Sequence, residues 1–304
     1  MNQIFQRRTF LKTAAAASFY SFFLPQLSAL RLNKNYEMKT LRGNIGIFKE
    51  RGGTIGYYAS PKGSIVIDTQ FPEQATNFVN EWKNMGNESL NALINTHHHG
   101  DHTSGNPVIG KLTETIISHE NSKKNQKASA ESKGNLESQL LPNKTFDIEH
   151  QLKVDTENVK LMYFGRAHTS GDAIVHFEET NVAHIGDLIF NRRFPYIDKA
   201  YGASIENWIT VLDKVLYTFD DDTIFIWGHA GENYPVTGGK EPIRAFQNYL
   251  ESLLKFGKEN FEKGVTEEQL LASTKIIPGA EEWQGSGIER SIKAVYTELM
   301  EGDK

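Results

Sequence analysis

A chain of 304 residues, 38% hydrophobic and 23% charged, carries enough apolar material for one large domain or two small ones. A formal charge of -5 and a pI near 6.1 supply no basic stripe for phosphates, which argues against nucleic acid as a partner. The absence of cysteine excludes disulfides, thiolate metal ligands, a cysteine nucleophile and a lipid-modified N-terminal cysteine, and leaves the redox compartment open.

Residues 1–30 read as an address. Gln6-Arg7-Arg8-Thr9-Phe10-Leu11-Lys12 resembles the twin-arginine export signal, an apolar stretch occupies residues 13–24, and Leu27-Ser28-Ala29 offers a small-residue cleavage site. The apolar stretch is too short to span a bilayer, which needs about 20 residues. The expectation is therefore a periplasmic or otherwise exported protein that uses the twin-arginine machinery and keeps no stable membrane anchor once the signal is removed.

Short strands are expected at residues 43–48, 54–58 and 64–68, with Gly52-Gly53 and Pro61-Lys62-Gly63 as turns, in an antiparallel meander. Asp68 ends the third strand. Residues 72–85 read as a helix with Phe78, Val79 and Trp82 inward, and residues 90–94 and 115–119 as buried strands. The polar stretch 120–143 reads as a helix or mobile insertion bordering the mouth of the site. Strands resume at 159–164, 173–177 and 182–185. A helix capped by Ser204 runs over 204–217, with Ile205, Trp208, Ile209 and Leu212 in one stripe. A last strand occupies 223–227, and helical patterns begin at 241 and again at 288–300. The domain reading is 1–30 signal, 38–240 catalytic domain and 241–304 C-terminal helices packed on that domain.

The chain is organised around Thr96-His97-His98-His99-Gly100-Asp101-His102. Neighbouring histidines gain nothing from one another unless a cation sits between them, and zinc accepts both imidazole nitrogen and carboxylate oxygen. Three further candidates each follow an apolar run and stand near a glycine, where the backbone turns sharply: His168 after Phe164-Gly165, Asp187 after Gly186, and His229 after Gly228. The spacings from His102 are 66, then 19, then 42 residues.

The pattern HxHxDH, then H, D and H at these intervals, resembles the metallo-β-lactamase superfamily of dinuclear metal hydrolases over residues 43–236. That resemblance implies an α/β fold, a four-layer αββα sandwich with the site at the sheet edges, followed here by a helical C-terminal extension. It also implies two zinc ions per chain. His97, His99 and His168 would hold one, Asp101, His102 and His229 the second, with Asp187 bridging. Asp68 matches an aspartate that orients the metal loop from behind, and His184 is expected as a second supporting partner. Asp187-Leu188-Ile189-Phe190-Asn191 with Phe194-Pro195-Tyr196-Ile197-Asp198 resembles an exported branch that includes β-lactam-hydrolysing members.

The activity this implies is hydrolysis of a small-molecule amide or ester by a metal-bound hydroxide, with Asp101 steering it and shuttling its proton. A cyclic substrate such as a β-lactam leads, and a lactonase or thioesterase is the alternative. A mononuclear iron persulfide dioxygenase and a non-catalytic zinc-binding protein are the competing classes. Tyr57, Phe194, Tyr196, Tyr201 and Tyr234 are candidates for an aromatic substrate wall. His98 is read as facing solvent or substrate, and His119, His150 and His176 as ordinary strand or surface residues.

Overall fold

The computed structural model describes residues 35–283 and 286–302, so the expected export signal in residues 1–30 lies outside the described residues. Strands β1 (Glu37–Arg42), β2 (Ile45–Lys49), β3 (Ile55–Ser60) and β4 (Gly63–Ile67) pair antiparallel in succession. Helix α1 (Pro72–Asn84) begins on a proline, whose missing N–H is one the first turn leaves unbonded anyway. It carries the chain over to β5 (Ala92–Asn95), which lies parallel to β4. Two single helical turns follow, α2 (Gly100–Thr103) and α3 (Asn106–Ile109). Then β6 (Ile116–His119), helix α4 (Glu120–Ser132) and β7 (Lys144–Phe146) complete a seven-stranded sheet in the order β1 to β7.

Residue alternation places this sheet between two apolar layers. Ile65, Ile67, Ala92, Ile94 and Ile117 belong to the main core, while Val66, Leu93 and Ile116 of the same strands pack with Ala75, Phe78 and Trp82 of α1. Strands covered on both faces read as near-continuous apolar runs, which is why β4 to β6 stand out in the sequence.

The second sheet comprises β8 (Glu149–Val154), β9 (Glu157–Tyr163), β10 (Ala173–Phe177) and β11 (Val182–His184), joined later by β13 and β15. Next come the short strand β12 (Phe190–Asn191) and helix α5 (Ile205–Thr218). Strand β13 (Ile224–Ile226) runs parallel to β11, β14 (His229–Ala230) pairs with β12, and β15 (Thr237–Gly238) closes the edge beside β13. Helices α6 (Glu241–Glu262), α7 (Glu267–Ser273) and α8 (Ile288–Glu301) finish the chain. Trp208 of α5, Phe246 and Leu250 of α6 and Ile292 of α8 join the same core as the sheet residues. The architecture is a four-layer αββα sandwich with a helical C-terminal extension. Among the described residues, no helix is long and apolar enough to cross a membrane.

Two joints matter for the site. The α5 N-terminus is capped by the Ser204 hydroxyl, which accepts the Asn207 N–H, and by the Glu298 carboxylate of α8, which accepts the Ile205 and Glu206 N–H groups at 2.8 and 3.0 Å. Glu298 also pairs with Lys199 at 3.2 Å. Stretch 120–143, left open between helix and mobile insertion, contains helix α4, and His119 caps it by accepting the Asn121 N–H on Nδ1. His119 is therefore not an ordinary strand residue: it is buried, stacks on Tyr163 at 3.9 Å and donates from Nε2 to the Asp147 carbonyl. The strand expected from residue 43 begins at Ile45, because Gly43 occupies a turn with a φ of +55°.

Candidate metal centre

The centre grows from the end of β4. Asp68, in the left-handed region with a φ of 61°, is fully buried and accepts the Thr96 N–H on Oδ1 at 2.8 Å. Its Oδ2 accepts the Thr96 hydroxyl at 2.7 Å and His102 Nδ1 at 2.8 Å. Since the Thr96 hydroxyl gives its proton to Asp68, it accepts from His97 Nδ1, 3.1 Å away. One carboxylate thus sets the tautomer of two histidines and leaves Nε2 of each with a free lone pair. The loop is closed behind by Asn95 and Asn106, whose side-chain amides bond reciprocally at 2.8 and 3.0 Å.

Two triads of donor atoms result. His99 Nδ1 lies 3.0 Å from His97 Nε2 and 2.9 Å from His168 Nε2. Two nitrogens bound tetrahedrally to one zinc at about 2.0–2.1 Å stand about 3.3 Å apart, so these separations match to a few tenths of an ångström. In the second triad, His229 Nε2 is 3.0 Å and His102 Nε2 3.9 Å from Asp101 Oδ2. Asp187 sits between the triads. Its Oδ1 is 3.2 Å from His102 Nε2, and its Oδ2 is 3.3, 3.6 and 4.0 Å from the Nε2 atoms of His229, His168 and His97. His102 Nε2 and Asp187 Oδ1 are buried and face each other at 3.2 Å with no other partner, an arrangement that needs a proton or a cation between them. These His and Asp groups could hold metal.

Packing leaves no room for anything else at this point. A Cβ on Gly228 would run into the Asp187 carboxylate, and one on Gly53 would run into the His102 ring. Thr54 donates to the Gly228 carbonyl at 3.1 Å and accepts from His184 Nε2 on its own carbonyl at 3.0 Å. His184 Nδ1 accepts the Gly186 N–H. His184, expected as a supporting partner, bonds to backbone groups and not to the side chain of a candidate ligand. It fixes the backbone turn that presents Asp187.

Sequence reasoning missed Asp198. This buried carboxylate accepts His99 Nε2 at 2.8 Å, which leaves Nδ1 free for its triad. The signal was a lone aspartate inside the aromatic run Phe194-Pro195-Tyr196-Ile197, since a buried carboxylate needs a partner.

Electrostatics separates the triads. Burial and the neighbouring His102 keep His97 well below the usual histidine range, and burial with His99 holds His168 down at about 3. Burial also opposes the charged forms of His102 and His229, but Asp187 and Asp101 outweigh it, raising His102 well above its usual value and His229 to about 9. Burial pushes the other way on Asp187, where His229 and His102 prevail and hold the carboxyl well below its usual range. Asp101 is held low in the same fashion by His102 and His229. His97 and His168 of the first triad are kept neutral, whereas His102 and His229 of the second favour protons that a cation displaces.

The centre opens into a cleft of about 500 Å³. Phe194, Tyr196 and Tyr201 line it, as do Phe71 and Phe190, which sequence reasoning did not single out. Tyr196 is 45% exposed with its ring 5.3 Å from that of His99, and Phe190 stacks nearly parallel on His229 at 5.4 Å. Two expected wall residues are elsewhere. Tyr57 is buried under α1 against Trp82 and Phe78, because strand alternation turns it away from the cleft. Tyr234 lines an adjoining cleft beside Arg192. His98 does not face open solvent: it is buried, its ring 4.6 Å from Tyr201, and it forms part of the cleft wall.

The fold and ligand arrangement can be set beside known proteins. A sequence profile described as the metallo-beta-lactamase superfamily matches residues 49–229. No curated protein sequence matches the chain. Among solved structures, it is similar to a stereoselective inverting sec-alkylsulfatase from a Pseudomonas species, at 14% identity and a TM-score of 0.70 over 86% of this chain. A double mutant of that sulfatase superposes with a TM-score of 0.68, also at 14% identity and over 86% of this chain. The chain spans 50% of the sulfatase's length in both cases. It is also similar to a metallo-beta-lactamase from Pontibacter korlensis, at 15% identity and a TM-score of 0.58, covering 71% of this chain and 99% of that one. With the profile matching more than half of its length, the chain belongs to the metallo-beta-lactamase superfamily.

Proposed function

We propose that the protein is a zinc-dependent hydrolase that opens a small-molecule amide or ester, a cyclic one such as a β-lactam being the leading substrate and a lactone or thioester the alternative. The observation that carries this reading is the meeting of two N/O donor triads at the single carboxylate of Asp187. Zinc held there would bring the pKa of water from 15.7 towards about 7 and polarise the oxygen of the bond under attack.

The chain's own residues supply the rest. Asp101 has the most open side chain of the seven, 27% exposed, and faces the cleft. Held deprotonated by its neighbours, it accepts a hydrogen bond from the attacking water and takes its proton. Asp198 and Asp68 hold His99, His97 and His102 in the tautomers that point lone pairs inward. Tyr196 and Phe194 cover the apolar body of the substrate and exclude water from one side. A sulfate ester is a second reading, favoured by the fold likeness to the alkylsulfatase. We also propose export by the twin-arginine route, on the strength of Gln6-Arg7-Arg8-Thr9-Phe10-Leu11-Lys12.

The test is turnover by the zinc-loaded protein of a chromogenic cephalosporin, a lactone, an aryl ester, an aryl thioester and an alkyl sulfate, with His99→Ala as the blank. Hydrolysis of any one, abolished in the blank, supports the reading and names the bond. Protein with two zinc ions bound that turns over none of them, or turnover that survives in the blank, refutes it.

A further inference from the structure

Three cations line the metal cleft without an ion-pair partner among the described residues: Lys133 just past α4, Arg193 just past β12, and Arg290 on α8. Their neighbours are neutralised. Arg192 pairs with Glu241 at 2.9 Å and Glu282 at 2.7 Å, and Lys199 with Glu298 and Glu301 at 3.2 and 3.1 Å. Arg193 and Arg290 also line the adjoining cleft of about 710 Å³, so both stand on the wall that the two clefts share. Glu232, on that second cleft, pairs with neither.

Charge on this chain is negative in sum, yet the rim of this cleft gathers positive groups without ion-pair partners among the described residues, from three elements far apart in sequence. Like charges converging on a cleft repel one another and gain nothing from the fold itself. An anion entering between them is attracted by all three, while the carboxylates on the same lining, Asp101, Asp187 and Asp198, stand at the metal end among the candidate ligands and beside His99. Two of the three are arginines, whose planar fork matches carboxylate, sulfate and phosphate oxygens. The Arg290 guanidinium lies 6.0 Å from the Tyr196 ring, which also neighbours His99 and His168 of the metal centre. An apolar body laid along Tyr196 therefore has the metal centre at one end and Arg290 at the other.

We propose that Arg193 and Arg290, with Lys133 on the same cleft, form a docking subsite for an anionic group of the substrate, whose class is an amphipathic oxyanion with an apolar body. This deepens the hydrolase reading and rests on it only for what happens at the metal end.

The test reads binding, not turnover. Zinc-loaded protein is titrated calorimetrically with 4-phenylbutyrate, 4-phenylbutyl sulfate and the neutral 4-phenylbutanol, beside Arg193→Ala/Arg290→Ala and Arg193→Lys/Arg290→Lys, with zinc content measured in each. The native protein is expected to bind at least one anion about tenfold or more tighter than the alcohol, with a preference that weakens in salt. The alanine pair should lose that preference at unchanged zinc content, and the lysine pair should recover part of it. Loss confined to the carboxylate or to the sulfate identifies the group and supports the subsite either way. Anions that bind equally to the native protein and the alanine pair, or no tighter than the alcohol, overturn it. A protein that hydrolyses nothing yet shows the arginine-dependent preference loses the hydrolase reading alone.

Discussion

Replacing Asp68 by asparagine isolates the device that prepares both triads. Asparagine keeps the size of the side chain and tolerates the φ of 61° found there. The carboxylate accepts on both oxygens, from the Thr96 N–H on one side and from the Thr96 hydroxyl and His102 Nδ1 on the other. An amide accepts on one side only. If its oxygen serves His102 and the hydroxyl, its NH2 faces the Thr96 N–H and a buried donor is orphaned, at about 1–3 kcal/mol. If it is turned round, the NH2 donates to His102 Nδ1 and the Thr96 hydroxyl, and the proton of His102 moves to Nε2, where it blocks the second triad. The freed hydroxyl then donates to His97 Nδ1 and does the same to the first. Either orientation is expected to lower zinc affinity or metal-free stability by about 1–3 kcal/mol, about 10–100-fold in a binding constant. Zinc per chain at buffered free metal, with thermal unfolding of the metal-free protein, reads both. A folded Asp68→Asn protein with native zinc affinity and native stability would falsify the tautomer argument.

Two further outcomes follow from the geometry. Gly228→Ala pushes a methyl group into the Asp187 carboxylate and against His102, so the variant should bind less than the native zinc complement; retention of two ions with native affinity contradicts the close packing described. Zinc binding at the second triad must displace protons from His102 and His229, whose pKa values are raised, so its affinity should climb as the pH rises towards about 9, where His229 titrates, with His102 adding to the slope in the same direction. His97 and His168 of the first triad, already neutral there, should add little to the change. In the metal-free protein the sign reverses: the stability the protonated His229 lends is present below about pH 6.5 and lost as the pH rises through about 9, and His102 acts in the same direction. Calorimetric zinc titrations in buffers of different ionisation enthalpy count the protons released, and equal pH dependence for both ions counts against the division.

The seven candidate ligands were legible because four crowd into the run from His97 to His102 and the other three follow apolar runs within three residues of a glycine, in patterns that local sequence carries. Asp198 was not, because its partner His99 lies 99 residues away and only the packing of the 194–203 loop brings them together. Strands β1 and β8 escaped notice for a different reason. They are edge strands, and residues such as Glu37, Lys39, Glu149 and Lys153 keep such edges from pairing with other chains while erasing the apolar signal. Tyr57 and Tyr58 show the limit most plainly. Alternation says that they face opposite ways, but only the position of α1 decides which of the two is covered by Phe78 and Trp82 and which meets Phe177 between the sheets.

The Glu298 cap gives the last helix a hold on the middle of the chain. The same carboxylate that closes the N-terminus of α5 grips Lys199, next to the Asp198 that orients His99. Opening of the C-terminal turn of α8 therefore releases, in one event, the first amides of α5 and the residue beside the metal loop. In hydrogen exchange the Ile205 and Glu206 amides should open with α8, at its protection and not at that of the buried turns around Trp208.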